Sequence, residues 1–230
     1  MKKIDVLDEG YVVLHEDGTM GSDLTIVNSA RVSYGKRKEV LEDNDKRLIE
    51  FLAREGHTSP FRHATMQFEV RAPLMVARQW WKYIVGAGFQ DPIVAWNESS
   101  RRYITEKNEY HLPDTFRKAP TNSKQGSGAP VESDLNDFWL NQLAMYQMQG
   151  ESLYQRAMAD GICAEQARLF TPAYGLYVSF YWTASVQGVV HLIKQRTKPD
   201  AQLEFQEFAN AIKELAMEKF PLSVEALLNN

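Results

Sequence analysis

Cysteine is nearly absent from this sequence, which has Cys163 alone among 230 residues. A single cysteine cannot form an internal disulfide, as is typical of proteins from a reducing compartment. Because its neighbours in the chain are apolar, we expect Cys163 to be a packed thiol and not a nucleophile. Long apolar runs are missing too, and the first residues lack the apolar core of a secretion signal. The sequence therefore predicts a cytoplasmic protein that does not enter the membrane.

An excess of basic residues is also missing, since 26 lysines and arginines are set against 30 acidic residues. A broad electrostatic contact with nucleic acid requires such an excess, so we expect no nucleic-acid partner. The five histidines show none of the spacings typical of zinc or iron ligands. The glycine-rich fingerprints of dinucleotide and P-loop sites are absent as well. We therefore expect no metal, and any cofactor must be held by an unusual fold.

The hydrophobic pattern predicts more helices than strands. Strands are expected at 11–15, 66–72 and 176–182, and helices at 22–30, 45–54, 74–85, 184–196, 199–219 and from Ser133 onward. Glu16 to Gly18 has the composition of a turn that would close the first strand, and Ser133 is the expected N-cap of its helix. The fold class that follows is α+β, with a helix-rich domain and a small, mostly antiparallel sheet.

Residues 118–132 are rich in glycine, proline and polar side chains. Such a segment buries little apolar area, so we expect a flexible loop within one domain that spans residues 1–230. The loop could act as a lid or as a tether, and the sequence leaves both possibilities open.

Charged, amide and aromatic side chains are concentrated between Arg78 and Tyr103. Guanidinium groups bind phosphate and carboxylate oxygens in pairs, and aromatic rings supply flat apolar surface. This combination is typical of a site for a charged, planar ligand such as a nucleotide. Three arginines in helical or apolar surroundings, Arg102, Arg168 and Arg196, are each most simply read as surface ion-pair residues. Taken together, they suggest an anion site.

Seven segments carry a resemblance to a known family, and they occur in the same order along the chain. They are Asn28–Tyr34, Gly56–His63, Ala77–Trp80, Asn97–Tyr103, Glu165–Arg168, Trp182–Thr183, and Arg196 followed by Asp200–Glu204. Through them the chain resembles the flavin-dependent thymidylate synthases, the ThyX family. The resemblance implies a homotetramer with active sites between subunits. It also implies binding of FAD, deoxyuridine monophosphate (dUMP), methylenetetrahydrofolate and NADPH, with methylation of dUMP to dTMP.

The same resemblance assigns expected roles to the nucleotide-binding residues. For dUMP they are Gln79, Lys82, Glu98, Ser100, Arg102, Arg168 and Arg196. Arg196 and Ser100 are the expected catalytic residues. A guanidinium beside the uracil ring would stabilise negative charge that develops there, so no covalent enzyme nucleophile is needed.

On the flavin side the sequence departs from the family pattern. The expected FAD contacts are Ser33, His57, Ser59, Lys82, Tyr83, Glu98, Ser185, Gln187 and His191. Lys82, Tyr83 and Ile84 stand where the family has Arg-His-Arg. Arg62 replaces a glutamate, Ser185 and His191 replace asparagines, and Gln187 replaces an arginine. Lysine keeps the positive charge but loses the bidentate fork of arginine.

Two other functions remain open at the level of the sequence. The altered flavin-facing residues could admit water, which would give a pyrimidine-nucleotide hydroxymethylase. A non-catalytic homologue that binds only the nucleotide is the second alternative, because a shared fold does not fix a function.

Overall fold

The computed structural model describes residues 2–87, 93–100, 107–121 and 125–230. The strands are β1 (Lys3–Val6), β2 (Gly10–Met20), β3 (Thr65–Pro73), β4 (Val94–Glu98) and β5 (Tyr177–Ser185). The helices are α1 (Asp23–Arg31), α2 (Asp43–Arg54), α3 (Leu74–Ala87), α4 (Ser133–Ala159), α5 (Ala164–Ala167), α6 (Val186–Arg196), α7 (Leu203–Lys219) and α8 (Pro221–Leu228).

The five strands form one antiparallel sheet in the order β1-β2-β3-β5-β4. Along β3, Phe68 and Val70 are fully buried while Gln67 and Glu69 are partly exposed, which is the period of two that the sequence predicts. The prediction of an α+β fold with a small antiparallel sheet is confirmed.

An aromatic cluster joins the sheet to the helices. Trp80 of α3 is fully buried and packs against Phe180 and Trp182 of β5 and against Phe205 of α7, with ring centroids 5.3 Å away in each case. Aromatic pairs at this distance contribute roughly 0.5–1.5 kcal/mol beyond the area that they bury. The cluster therefore fixes α3 and α7 relative to the sheet, and these helices carry residues of the candidate site.

Several predicted boundaries are wrong. Residues 16–18 do not close the first strand, because β2 continues through them to Met20 with an irregular register after His15. The N-cap of α4 is Glu132 and not Ser133. Helix α6 begins at Val186, since Ser185 still pairs with Thr65 in the sheet. Helix α7 begins at Leu203, four residues after the expected start. Strands β1 and β4 and helices α5 and α8 were not predicted.

The prediction that Cys163 is a packed thiol is wrong. Its side chain is exposed at the N-cap of α5. Within the described ranges, no helix combines the length and the apolar character that a membrane crossing would need.

The long helix α4 exposes a row of large apolar side chains. About half of the side-chain surface is exposed at Leu135, Phe138, Trp139 and Tyr146.

Candidate active site

A polar pocket of about 700 Å³ opens beside the C-terminal end of α6, and we call it the Arg196 pocket. Helix α3 supplies Gln79, Lys82 and Tyr83 to its wall, and Arg196 comes from the last turn of α6. Its other lining residues are Arg117, Gln125, Gly126, Ser127, Gln195, Lys198, Asp200, Ala201, Gln202 and Leu203. Four cationic side chains and one carboxylate line this pocket, which favours an anionic ligand.

Arg196 is held by aromatic rings and by one amide. Its guanidinium carbon lies 5.2 Å from the ring centroid of Tyr83 and 4.9 Å from that of Phe205. Its Nη1 atom donates a hydrogen bond to Oε1 of Gln79 at 3.0 Å. Its buried Nε has no hydrogen-bond partner among the described residues. Contacts to aromatic faces and a fixed amide leave this guanidinium little freedom to rotate.

Gln79 is itself tied to the start of α7. Its Nε2 atom donates to the main-chain oxygen of Met75 at 3.3 Å and to Oε1 of Gln202. The amide of Gln202 then donates to the sulfur of Met75 at 3.4 Å. Both ends of the Gln79 amide are therefore engaged within the chain.

Of two expected flavin contacts, Tyr83 lines this pocket, and the exposed His191 lies next to Tyr83, with ring centroids 5.9 Å apart. Burial raises the pKa of the Tyr83 hydroxyl, while the charge of Arg196 acts in the opposite direction. Desolvation lowers the pKa of His191, and Lys194 and Lys198 lower it further. Both side chains are therefore uncharged near neutral pH and present planar surface.

Except for Glu98, which ends β4, the remaining expected flavin contacts lie towards the other end of α6 or in the short helices and turns before β3. Nη1 of Arg62 donates to Oε1 of Gln187 at 3.2 Å, which joins two positions where the sequence departs from the family pattern. His57 and Ser59 are exposed just before Arg62, and Ser33 is exposed in a short 3-10 helix. Gln187 and His191 share one face of α6, since they are one turn apart.

Ser185 occupies a different environment from the other expected flavin contacts. Its side chain is fully buried, and its hydroxyl oxygen accepts a hydrogen bond from the main-chain nitrogen of Gly188 at 3.1 Å. This is the N-cap of α6, which contributes roughly 1 kcal/mol to helix stability. The structure therefore gives Ser185 a capping contact, and a flavin contact for it stays a prediction.

A second pocket, of about 490 Å³, contains Glu98, Ser100 and Arg168, and we call it the Arg168 pocket. Glu98 ends β4, and Arg168 lies in a short 3-10 helix after α5, where its Nε donates to the main-chain oxygen of Glu165 at 3.3 Å. Partial desolvation raises the pKa of Glu98, and contacts with Trp96 and Arg78 act against that rise.

A more apolar pocket of about 450 Å³ lies between these two and shares lining residues with each. Arg117 lies at its border with the Arg196 pocket and donates from Nη2 to Oε1 of the buried Glu204 at 2.5 Å. Burial raises the pKa of Glu204, but Arg117, a main-chain amide and Gln202 outweigh it, so the net pKa is lowered. The ion pair thus fixes the start of the predicted loop against α7.

Within the described part of the predicted loop, main-chain hydrogen bonds join Lys118 to Ala129 and to Gly128, at 2.9 and 2.8 Å. Gln125, Gly126 and Ser127 form one wall of the Arg196 pocket. The loop therefore borders the candidate site, and its flexibility stays a prediction.

Within one chain, the expected dUMP residues therefore lie in two separate pockets. Gln79, Lys82 and Arg196 lie together in the first, and Glu98, Ser100 and Arg168 lie together in the second. Arg102 lies outside the described residues. Sequence reasoning missed contacts made by Arg117, Gln202, Glu204 and Phe205. The segment Asp200–Glu204 carried part of the family resemblance and could have drawn attention to Gln202 and Glu204.

Comparison with known proteins identifies the family. The family model of the thymidylate synthase complementing proteins matches residues 16–222. A flavin-dependent thymidylate synthase of Thermus thermophilus is 37% identical over 220 residues, which cover 96% of this chain and 76% of that protein. That of Thermosipho africanus is 34% identical over 223 residues, covering 97% and 92%.

A solved structure supports the same relationship. The UMP/dUMP methylase PolB from Streptomyces cacaoi, bound with 5-Br dUMP, is similar to this chain with a TM-score of 0.83 and 25% identity. The match covers 98% of this chain and 97% of PolB. The chain belongs to the flavin-dependent thymidylate synthase family, and the prediction of an enzyme of that class is confirmed.

Proposed function

We propose that this enzyme methylates dUMP to dTMP in the cytoplasm, with FAD as cofactor, methylenetetrahydrofolate as the carbon donor and NADPH as the reductant. The observation that carries the proposal is the fixed guanidinium of Arg196 in a cation-lined pocket, bonded to Gln79. Family membership and the likeness to a UMP/dUMP methylase support a pyrimidine nucleotide as the substrate.

Arg196 can act without any covalent nucleophile from the protein. A guanidinium aimed at the oxygen and nitrogen edge of uracil stabilises negative charge on the ring, which makes C5 a better nucleophile. Because two rings and Gln79 already hold the group, little reorganisation is needed during the reaction. Removal of one such electrostatic group typically costs roughly 10²–10³ in rate.

The residues of the Arg196 pocket fit a flavin nucleotide. Lys82, Arg117 and Lys198 provide charge for phosphates, and the uncharged ring of Tyr83, with that of His191 next to it, provides flat surface for a planar ring system. FAD supplies the redox chemistry when it is bound. The protein contributes binding, orientation and the exclusion of water.

The separation of the two pockets supports a site assembled from more than one chain. Arg168 with Glu98 and Ser100 would face the Arg196 pocket of a second copy, so that both sets contact one dUMP molecule. The exposed apolar row on α4 supports such an assembly, because a contiguous apolar surface is typical of an interface. We propose the homotetramer on these grounds.

Absorption spectroscopy and product analysis test the function. Purified protein with FAD should show an oxidised-flavin band that shifts on addition of dUMP. With methylenetetrahydrofolate and NADPH, the product should gain a methyl group by mass spectrometry. A hydroxymethyl product would favour the hydroxymethylase, and nucleotide binding without turnover would favour the non-catalytic homologue. Competition between dUMP and UMP would establish which sugar the pocket prefers.

A further inference from the structure

A chain of side-chain contacts leads from Arg196 to the residue that precedes α7. We propose that Gln202 is a positioning residue, which fixes the amide of Gln79 so that Gln79 orients Arg196. The inference rests on the proposed function, because it assigns Arg196 to the reaction and Gln202 to the orientation of Arg196.

Arg196 determines the direction of the hydrogen bonds along this series of side chains. A guanidinium can only donate hydrogen bonds, so the group of Gln79 that faces Nη1 must be its oxygen. The nitrogen of Gln79 then faces Gln202, and the group of Gln202 that accepts from it must be its oxygen. The nitrogen of Gln202 is left to donate to the sulfur of Met75, a weak acceptor, and to the carboxylate of Glu204. The amides of Gln79 and Gln202 therefore each have one orientation in which all of these hydrogen bonds can form.

Without Gln202, the nitrogen of the Gln79 amide would keep only the longer hydrogen bond to the main-chain oxygen of Met75, at 3.3 Å, and would hold its orientation less firmly. A rotated amide would place its NH₂ group against the guanidinium, which sets a donor against a donor. Arg196 would then lose the bond to Gln79 in part of the molecules and would keep its contacts with Tyr83 and Phe205. Loss of one net hydrogen bond predicts a rate loss on the order of tenfold.

The local structure frees the Gln202 side chain for this role. Gln202 is the N-cap residue of α7, but its side chain makes no capping hydrogen bond. Its amide points instead across the pocket to α3, 123 positions earlier in the chain. Gln206, one turn later, donates to the main-chain oxygen of Ala201 at 2.7 Å and supplies a matched control.

Steady-state kinetics of Gln202→Met and Gln202→Glu separate positioning from packing. Methionine keeps the volume but cannot accept a hydrogen bond, so kcat should fall about tenfold while KM for dUMP changes less than about twofold. Glutamate still accepts from Gln79, so kcat should stay within about threefold of wild type. Its negative charge faces the anionic substrate and also the carboxylate of Glu204, to which the amide of Gln202 donates, so KM should rise and the fold should lose some stability. Gln206→Met should leave both constants unchanged.

Wild-type kcat in Gln202→Met, or a lower kcat in Gln202→Glu than in Gln202→Met, would overturn the inference. A double-mutant cycle between Gln202→Met and Arg196→Met gives a second readout that does not need turnover. If Gln79 links the two residues, their effects on the unfolding equilibrium should be coupled by about two- to tenfold. Additive effects would refute the link. An inactive wild type would refute the proposed function alone, and the cycle would still decide the role of Gln202.

Discussion

Arg62 donates a hydrogen bond to Gln187 at 3.2 Å, across 125 positions of the chain. By the family resemblance, a glutamate and an arginine are expected at these two positions, so this chain has a cation and an amide where the pattern has two opposite charges. Arg62 also donates to the hydroxyl of Thr58 at 3.3 Å. In this chain the cation of the pair is Arg62, which lies in the 3-10 helix before β3.

An opposite-charge pair at positions 62 and 187 should be tolerated when both residues are changed together. Gln187→Arg alone sets two guanidinium groups against each other, so we expect weaker FAD binding and a lower unfolding temperature. Arg62→Glu combined with Gln187→Arg restores an opposite-charge pair and should return both quantities close to wild type. Flavin fluorescence titration and thermal unfolding measure them. A double variant no better than Gln187→Arg would contradict a direct pair.

Arg196→Lys should lower kcat by about 10² while the fold is retained, because lysine keeps the charge but loses the planar fork that can bond Gln79 and the uracil edge together. The measurement is steady-state turnover with dUMP. Arg54→Lys is the control, since Arg54 makes an exposed contact with Glu55 and lies on α2. Equal rates for Arg196→Lys and wild type would remove Arg196 from the chemistry.

Two inactive variants should complement each other if the active site is shared between chains. Arg168→Ala and Arg196→Ala each damage one of the two pockets. In co-expressed, mixed assemblies about a quarter of the sites would combine two intact pockets from different chains. Activity should therefore recover to about that level. Mixtures as inactive as the parents would indicate that each site forms within one chain.

Asp23 should be important for stability but not for binding. Its carboxylate is buried and accepts from the main-chain nitrogens of Leu222 and Ser223, both at 3.0 Å, so that it caps α8 from α1. Asp23→Ala leaves these donors unsatisfied, and the free energy of unfolding should fall by about 1–3 kcal/mol in urea. FAD affinity should not change. Asp17→Ala, at a highly exposed position, is the control.

Asp45 should make the fold sensitive to acid. Burial raises its pKa, but hydrogen bonds from Arg31, the main chain of Glu42 and Lys38 outweigh this, so the net pKa lies below 3.8. The unfolded chain therefore takes up the proton at a higher pH than the folded chain does. The stabilisation is present above about pH 4 and is lost as the pH falls through the folded-state pKa.

Asp45→Asn tests this prediction. The variant should be less stable at neutral pH, and its stability should decrease less than that of wild type as the pH falls below about 4. Urea unfolding over a pH series measures both effects. The exposed Asp43→Asn should behave like wild type. An unchanged acid dependence in Asp45→Asn would assign the sensitivity to other carboxylates.

Local patterns predicted the elements that alternate or repeat strongly. The spacing of apolar residues located α2 and α3, and the period of two located β3, because burial of one face repeats with the geometry of the element. The short strands β1 and β4 escaped prediction, since four or five residues carry too little periodicity. The exposure of Cys163 also escaped it, because apolar neighbours in sequence need not be neighbours in space.

For the candidate site, too, some features could be predicted from the sequence and others depended on the tertiary structure. The sequence by itself determined the family, the fold class and the residue types available for an anion and a planar cofactor. These depend on short motifs, each of which is continuous in the sequence. Tertiary structure alone decided that Gln79 bonds Arg196 and Gln202, and that Arg168 lies in a different pocket. The pairings of Gln79 join residues 117 and 123 positions apart, and the path of the chain through the sheet and helices brings them together.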